Sequence, residues 1–534
     1  MIYNNYYISL IVTALLLALS CFALFVRRTD RVVGCAGDFY LADRRIGAME
    51  SGLGITAFYF GVLGIANMVS SFYSHSRSLW YFMGESATTI VAAFIIGLRF
   101  RTRNDYTIDS SPITWLAQAF ESKRMISTVF AAIILFIEPS VAFLHLKIAD
   151  AIWRELSFSL HYEYLVFLLM ILIGFVMIFG LRGVVRFHVV SFSIMLIVIL
   201  IVIIAARISG ETDQSFKGVS TVSDINRVAS DDHFNPSGLI ILNMFIISFT
   251  SMMQLPVLVR YQASSSLRSL IRAVALFAVI SFAAVIILAY YTSGFAESHF
   301  PPRIDEQWRV LPNPVFGSSP DGFNRIIPVV LQFIGLHVFG RFGRPLSDFL
   351  IFPLIATAMG AVIMHLHIIG IIFSKDIYKT LIRRKCDLSE SVFVGRLVMI
   401  VVGLILSVIY LYDKQSIAGL RFTMIFSEAA VLAGSLAAQS APAFIDRLYI
   451  KRCRKYGITA GFLVGVLLVF ITSDLANEVF IKIAPGISHS PIYDQLRLYS
   501  LSASMIANVC TAVCFSLIEG VAKRRCASLH GRSD

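Results

Sequence analysis

The residues of this sequence best placed to do chemistry are ionisable side chains embedded in long apolar runs. Glu138 sits beside Pro139 in the middle of Met125–Trp153, and His145, Lys147 and Asp150 follow on its outer half. Glu428 lies near the middle of Ile417–Ala441, Glu85 in the outer third of Leu79–Leu98, and His365 and His367 towards the basic end of Phe349–Phe373. Runs of this kind match the ~20 residues, at ~1.5 Å each, that cross a ~30 Å hydrocarbon layer. An ionised group at that depth costs about 2.5–3.5 kcal/mol on insertion scales, so one that is kept there pairs with a neighbouring helix or serves a water-filled path. Glu138, His365, His367 and Glu428 are therefore candidate proton carriers. For Lys147 and Asp150, close to the outer surface, a packing pair or a snorkelling head is the simpler reading. The two histidines are two residues apart and point to different faces. A metal pair on one helix needs a spacing of three or four, so no metal site is expected.

The elements that hold these residues follow from composition. Of 534 residues, 57% are hydrophobic and 15% charged, with a mean hydropathy of +0.77. This is the profile of an all-α polytopic membrane protein and excludes an ordinary soluble domain. Apolar runs of spanning length predict about thirteen transmembrane helices, from Tyr6–Val26 to Tyr499–Glu519. Among them are Gly47–Phe72, Glu163–Leu181, Phe187–Ala206 and Gly238–Leu258. Met1–Tyr7 lacks a basic start, so Tyr6–Val26 reads as a span stopped by Arg27 and Arg28 rather than as a cleaved signal.

Alternate loops are rich in Lys and Arg, and the longer opposite loops carry Asp and Glu. This predicts an external N-terminus, an internal C-terminus and a multi-pass protein of the cytoplasmic (plasma) membrane. The formal charge of +12 sits in those short loops, so the partner it implies is the lipid bilayer and not a nucleic acid. The seven cysteines form no disulfide framework, and Cys510 and Cys514 are neighbours within one apolar helix. The long loops Ser209–Pro236 and Gly294–Leu346 fall outside; Ile326–Val338 is apolar but too short to span, and predicts a re-entrant or surface helix over a cavity.

Two spans carry signs of interruption. Gly47–Phe72 contains Gly52, Gly54, Gly61 and Gly64, which fits either a close-packed face or a broken helix. Gly238–Leu258 carries Ser248, Thr250 and Ser251 at mid-depth, then Gln254 and Pro256. Paired interruptions in two halves of a chain are the sequence pointer to a secondary transporter with a midplane site. Tyr59, Phe60, Gly61, Glu138, Ser248, Ser251, Gln254 and Glu428 are the candidate solute-binding residues.

Five motifs, in order, resemble the sodium:solute symporter family, and most closely its proline symporters. They are F-Y-L-A-D-R-R-I-G at Phe39–Gly47, G-L-R-G-V-V at Gly180–Val185, Q-L-P-V-L-V-R-Y-Q-A at Gln254–Ala263, D-I-Y-K at Asp376–Lys379, and A-P-A-F-I-D-R-L-Y-I-K-R at Ala441–Arg452. The resemblance covers roughly Phe39–Gly465. It implies the leucine-transporter-like fold of two inverted five-helix repeats, here residues 47–208 and 238–446. Residues 1–46 would precede them with one helix, an external loop 209–237 would join them, and 447–534 would add two trailing helices.

The resemblance also implies alternating access for a small organic solute, usually driven by sodium. In the family the ion lies between the first and eighth core helices, held by backbone carbonyls and by consecutive Ser/Thr hydroxyls of the eighth. Counting back from Asp376, those hydroxyls fall on Gly360 and Ala361, which have none. An aspartate of the proline symporters falls on Tyr59 and a nearby serine on Gly61. Carbonyls of Ala57 and Phe60 and the hydroxyl of Thr357 remain, too few to replace the water of a buried ion.

A standard Na+ site is therefore not expected. Altered sodium coupling, H+ coupling and uncoupled transport stay open, as does a solute sensor that would signal through a partner. No filter sequence suggests a channel, and no nucleophile–base constellation suggests an enzyme or a cofactor. The solute is expected to be amino-acid-like or carboxylate-bearing, an inference resting on Lys147, and the protein a monomer or weak oligomer.

Overall fold

The computed structural model describes residues 36–74, 78–103, 111–156, 163–208, 238–301, 325–339, 343–414, 432–473 and 490–530, with a few residues between these stretches. Tyr6–Val26, Ser209–Pro236 and the part of Ile417–Ala441 that contains Glu428 lie outside the described residues.

The described chain is helical except for one short antiparallel ladder, Arg303–Ile304 with Val310–Leu311. Eight helices are long and apolar enough to cross a membrane, and a bent pair raises the number to nine among the described residues. The helices that matter for the site are α1 (Ala48–Tyr59), α2 (Val62–Ser74), α3 (Ser78–Ala92, continuing to Arg103), α4 (Pro112–Ala119), α5 (Lys123–Trp153) and α6 (Glu163–Ile208). They are followed by α7 (Gly238–Ser251), α8 (Leu255–Ala263), α9 (Leu267–Val279, continuing to His299), α10 (Ile326–Phe339), α11 (Gly343–Ile372), α12 (Leu388–Lys414), α13 (Lys455–Ile471) and α14 (Ser500–His530).

Helix α11 is the centre of the packing. It lies against α5 and α6 and is flanked by α10 and α12, and 89% of its most apolar stretch is buried. A span facing lipid would leave about half its circumference exposed, so α11 belongs to an inner layer, with its apolar surface spent on other helices. Lipid-facing Leu, Ile, Val and Phe side chains stand instead on helices such as α6, α12 and α14.

Both interrupted spans are broken helices. The ladder of α1 ends where Phe60 N–H donates to the Thr56 carbonyl (2.7 Å) and resumes where Ile65 N–H donates to the Gly61 carbonyl (3.0 Å); α1 and α2 meet there at 50°. A Cβ on Gly61 would stand 2.6 Å from the Ala57 carbonyl oxygen, so only glycine lets the chain turn this closely on itself. Gly52 serves the other purpose expected of such residues, close packing, because a Cβ there would meet the Ala273 carbonyl of α9. The break between α7 and α8 spans Met252–Gln254. Met253 and Gln254 amides bond three residues back, and α8 restarts with Pro256 in its first turn, where a missing N–H costs nothing.

The sequence predicts two helices separated near Arg182–Arg186, and here the structure differs. Residues Glu163–Ile208 stay helical through both arginines, and the break falls earlier, at Gly180, with φ 57° and ψ −151°. A side chain at that position would strike the Phe39 backbone. The predicted re-entrant or surface helix is present as α10, packed on α11, α2 and the His299 end of α9.

The family-like motifs turn out to be joints. Asp376 is buried and accepts hydrogen bonds from Ser111 Oγ (2.5 Å) and Thr114 Oγ1 (2.6 Å), which fixes the start of α4 against the end of α11. Ile46 N–H donates to the Ala263 carbonyl, and Ser265 N–H to that of Ile46, so the segment before α1 is tied to the end of α8. Asp446 accepts from the amides of Arg452 and Cys453 (both 3.1 Å). Charge-assisted bonds of this kind are the stronger ones in proteins, which explains why the motifs carry polar residues at fixed spacing; of these five motifs, only Gln254–Ala263 also reaches the cavity, through Gln254 and Leu255.

Candidate functional site

A cavity of about 610 Å³ opens between the two breaks, walled by α3, α5, α11 and residues 433–440. Ala57, Tyr59, Phe60 and Gly61 line it from the first break, and Ser251, Gln254 and Leu255 from the second. Glu85, Glu138, His145 and His365 supply its titratable groups, and most of the remaining wall is apolar. The size suits a small organic solute held by a few polar groups.

Glu138 and His365 meet on this wall. Nδ1 of His365 and Oε2 of Glu138 share a hydrogen bond of 2.5 Å, and both side chains are buried. Nε2 of His365 has no hydrogen-bond partner. The His145 ring lies 5.4 Å away, centroid to centroid, with its Nδ1 on the Val141 carbonyl one turn back. Thr357, Ala361 and His365 follow at intervals of four along α11 and all line the cavity, so one face of α11 carries both the expected ion position and the imidazole. Across the cavity, Tyr59 Oη donates to Glu85 Oε1 (2.7 Å), and the Thr89 hydroxyl stands 3.0 Å from Tyr59 Oη.

Several expected site residues are elsewhere. Ser248 does not line the cavity; its hydroxyl donates back to the Met244 carbonyl (2.7 Å). His367 lies against Phe39 and Tyr40, with ring centroids 5.4 and 6.3 Å away, on the far side of α11 from His365. Lys147, on which the carboxylate-bearing solute rested, has its ammonium 5.6 Å above the Phe143 ring and is not among the cavity-lining residues. Asp150 is buried rather than snorkelling, accepting from Tyr410 Oη (2.6 Å) and pairing with Arg154 (3.1 Å).

Gly360 turns to a different neighbour. A Cβ there would stand 3.0 Å from Cδ2 of His188 on α6, so the imidazole fills the space a Ser or Thr side chain would need. Arg260, the arginine of the Gln254–Ala263 motif, belongs to α8 and is only 1% exposed. Its Nη2 is 3.5 Å from His188 Nδ1, its Nη1 donates to the Pro256 carbonyl (3.3 Å), and its guanidinium lies 5.2 Å from the centre of the Phe58 ring.

A sodium ion would need oxygens from these residues. Thr357 keeps its hydroxyl, which donates to the Pro353 carbonyl (2.7 Å), but Ala361 brings a methyl and Gly360 a ring contact. The donor set does not fit the family's ion site. Among the described residues, no group of three His, Cys, Asp or Glu side chains could hold a metal ion.

Residues 39–465 match the sodium:solute symporter family. Two relatives come from Bacillus subtilis (strain 168). The high-affinity proline transporter PutP is 27% identical over 146 residues, 27% of this chain and 29% of the relative. The osmoregulated proline transporter OpuE is 26% identical over 144 residues, 26% of this chain and 28% of the relative. The aligned stretch thus spans less than a third of either curated relative. Among solved structures, a Na+-coupled sialic acid symporter in a substrate-bound outward-open state superposes with a TM-score of 0.65 at 16% identity, covering 96% of this chain and 97% of that one; at that identity the likeness speaks for the fold.

Proposed function

Because the chain belongs to the sodium:solute symporter family, we propose that it is a secondary transporter of a small organic solute, working by alternating access and coupled to protons through Glu138 and His365. The observation that carries this reading is the 2.5 Å contact of those two side chains on the cavity wall, one turn along α11 from the oxygen-free Ala361.

The coupling follows from charge. With Nδ1–H donated to the carboxylate and Nε2 bare, the pair holds one negative charge beside the cavity. A proton taken up at Nε2 makes it an imidazolium–carboxylate pair with no net charge. Alternating access passes through a closed cavity emptied of bulk water, where an uncompensated charge is expensive. Closure around the solute therefore favours the protonated pair, and a proton moves with the solute in each cycle when the pair releases it inside and the empty transporter returns without it. Glu428 stays in this reading as a second candidate carrier.

An amino-acid-like solute suits the walls. The Glu85 carboxylate and the carbonyls at the α1 break face an ammonium group, while the N-terminus of α8, reaching the cavity at Gln254 and Leu255, favours a carboxylate. The proline transport of the two relatives makes proline the first compound to try.

Reconstitution in liposomes tests the proposal. An inward proton gradient is expected to drive solute accumulation, and exchanging Na+ for choline to leave it unchanged. Strong sodium dependence would overturn the coupling. Solute that binds but never crosses would favour a sensor.

A further inference from the structure

The cavity wall at residues 433–440 ends in another break. The Gln439 and Ser440 amides bond three residues back, to the Leu436 and Ala437 carbonyls (both 3.1 Å), and a short helix, Ala441–Ile445, restarts with Pro442 in its first turn. In front, Ala433, Gly434, Leu436, Ala437 and Ser440 line the cavity, and a Cβ on Gly434 would meet nothing within 4 Å. That side of the segment faces open space, so the wall is held from behind.

Gln439 turns away from the cavity, is 1% exposed and reaches α14. Nδ2 of Asn508 donates to the Gln439 carbonyl (2.8 Å) and to its Oε1 (3.1 Å), and Gln439 Nε2 donates to Ser504 Oγ (3.0 Å). Ser504 and Asn508 are four residues apart and share one face of α14. Helix α13 leaves room for the contact: a Cβ on Gly465 would strike the Gln439 side chain, and one on Gly461 the Asn508 backbone. Helix α14 is itself tied down. Ser502 N–H, one of the amides that a helix start leaves without a partner, donates to Oδ1 of Asn243 (3.0 Å) on α7, the helix that runs into the second break. Ser504 and Asn508 lie beyond residues 39–465, so the contact is no part of the family match.

We infer that Gln439 and Asn508 are positioning residues, through which α14 fixes where the wall at 433–440 stands and so how wide the cavity is. A buried amide pair suits that task, because moving one partner away leaves the polar atoms of the other unsatisfied. The inference depends neither on proton coupling nor on the identity of the solute.

Amide hydrogen exchange of the full chain in detergent tests it with no solute present. Asn508→Leu keeps the size of the side chain and removes both donated bonds. Exchange across residues 436–444 is expected to rise about fivefold, the factor that one net hydrogen bond is worth, with no change at the breaks near Gly61 and Met253. An unchanged rate at 436–444, or an equal rise at those other breaks, would overturn the proposal. Gln439→Met should raise the rate as well, and the two substitutions together by less than the product of their separate effects, since they share a bond. A full product would mean that the side chains act separately, against the proposal. Exchanging the amides, Gln439→Asn with Asn508→Gln, keeps their summed length and is expected to bring the rate back towards wild type; a rate that stays at the Asn508→Leu level counts against a direct amide contact. If Asn508→Leu does not accumulate, Ser504→Ala, which takes one bond from Gln439, is expected to raise exchange in the same segment about twofold. No rise there would overturn the proposal too.

Discussion

Two buried charged centres lie against α11, and they differ in what they can exchange. Glu138–His365 opens on the cavity, with an imidazole nitrogen that has no hydrogen-bond partner. Arg260–His188 is sealed, at 1% and 0% exposure. A buried pair on the cavity wall can gain and lose a proton when the cavity opens far enough to admit water to it, whereas a guanidinium sealed at this depth neither leaves nor finds a base. Under the proposed function, proton exchange belongs to the first centre alone.

The sharpest way to break this comparison is to disable the exchanging centre alone. Glu138→Gln is expected to reduce proton-driven accumulation in liposomes to the level of empty vesicles, while exchange of internal for external solute continues. His365→Phe should match it. His367→Phe, two residues along and packed among Phe39 and Tyr40, should stay near wild type. Equal losses at both histidines would mean that α11 tolerates no change, and would remove the argument for a dedicated proton site.

A smaller effect tests the sealed centre. Gly360→Ala adds a methyl 3.0 Å from the His188 ring, and His188 has no room to retreat because Arg260 stands behind it. Overpacking of this kind costs about 1–3 kcal/mol, measurable as a fall in unfolding temperature. Gly47→Ala, with nothing within 4 Å of its new methyl, is the control. A neutral outcome at Gly360 would show that the His188–Arg260 pair is loosely held.

These centres were unequally legible in the sequence. Glu138 and His365 stood out because each is ionisable within an apolar run, and the glycines and Pro256 announced the two breaks. Their pairing was hidden, since 227 positions separate the two residues and hydrophobic periodicity reports only whether a helix face is buried, not which side chain meets it. Arg260 was concealed by its neighbours. It falls within a proline-started helix of nine residues, two residues past the end of the predicted span Gly238–Leu258, and precedes Arg268 and Arg272, so it read as part of a basic loop. His188 stood at the very start of the predicted span Phe187–Ala206, beside Arg182 and Arg186, which the structure keeps inside α6. Only the count back from Asp376 exposed Gly360, and it showed a loss without showing what fills the gap.

The mildest test concerns orientation, which decides the side of the membrane nearest each centre. Cys386 lies in the turn between the end of α11 and α12, and Cys453 in the segment before α13. Both belong to basic loops, so the charge rule puts them inside. Single-cysteine variants treated with an impermeant maleimide should remain unlabelled in intact cells and react once the membrane is opened. Burial and the neighbouring Asp446 push the Cys453 thiol up to about 11. A raised value keeps it protonated at neutral pH, and its thiolate fraction should grow about tenfold per pH unit below that value. Labelling of Cys453 should therefore be slow and climb steeply between neutral and alkaline pH, with Cys386, more weakly raised by burial and Glu390, reacting sooner. Labelling of both from outside would invert the topology. The end of α11 that carries His365, and with it the proton site, would then lie nearer the external face than Gly360, reversing the direction in which a proton gradient would have to act.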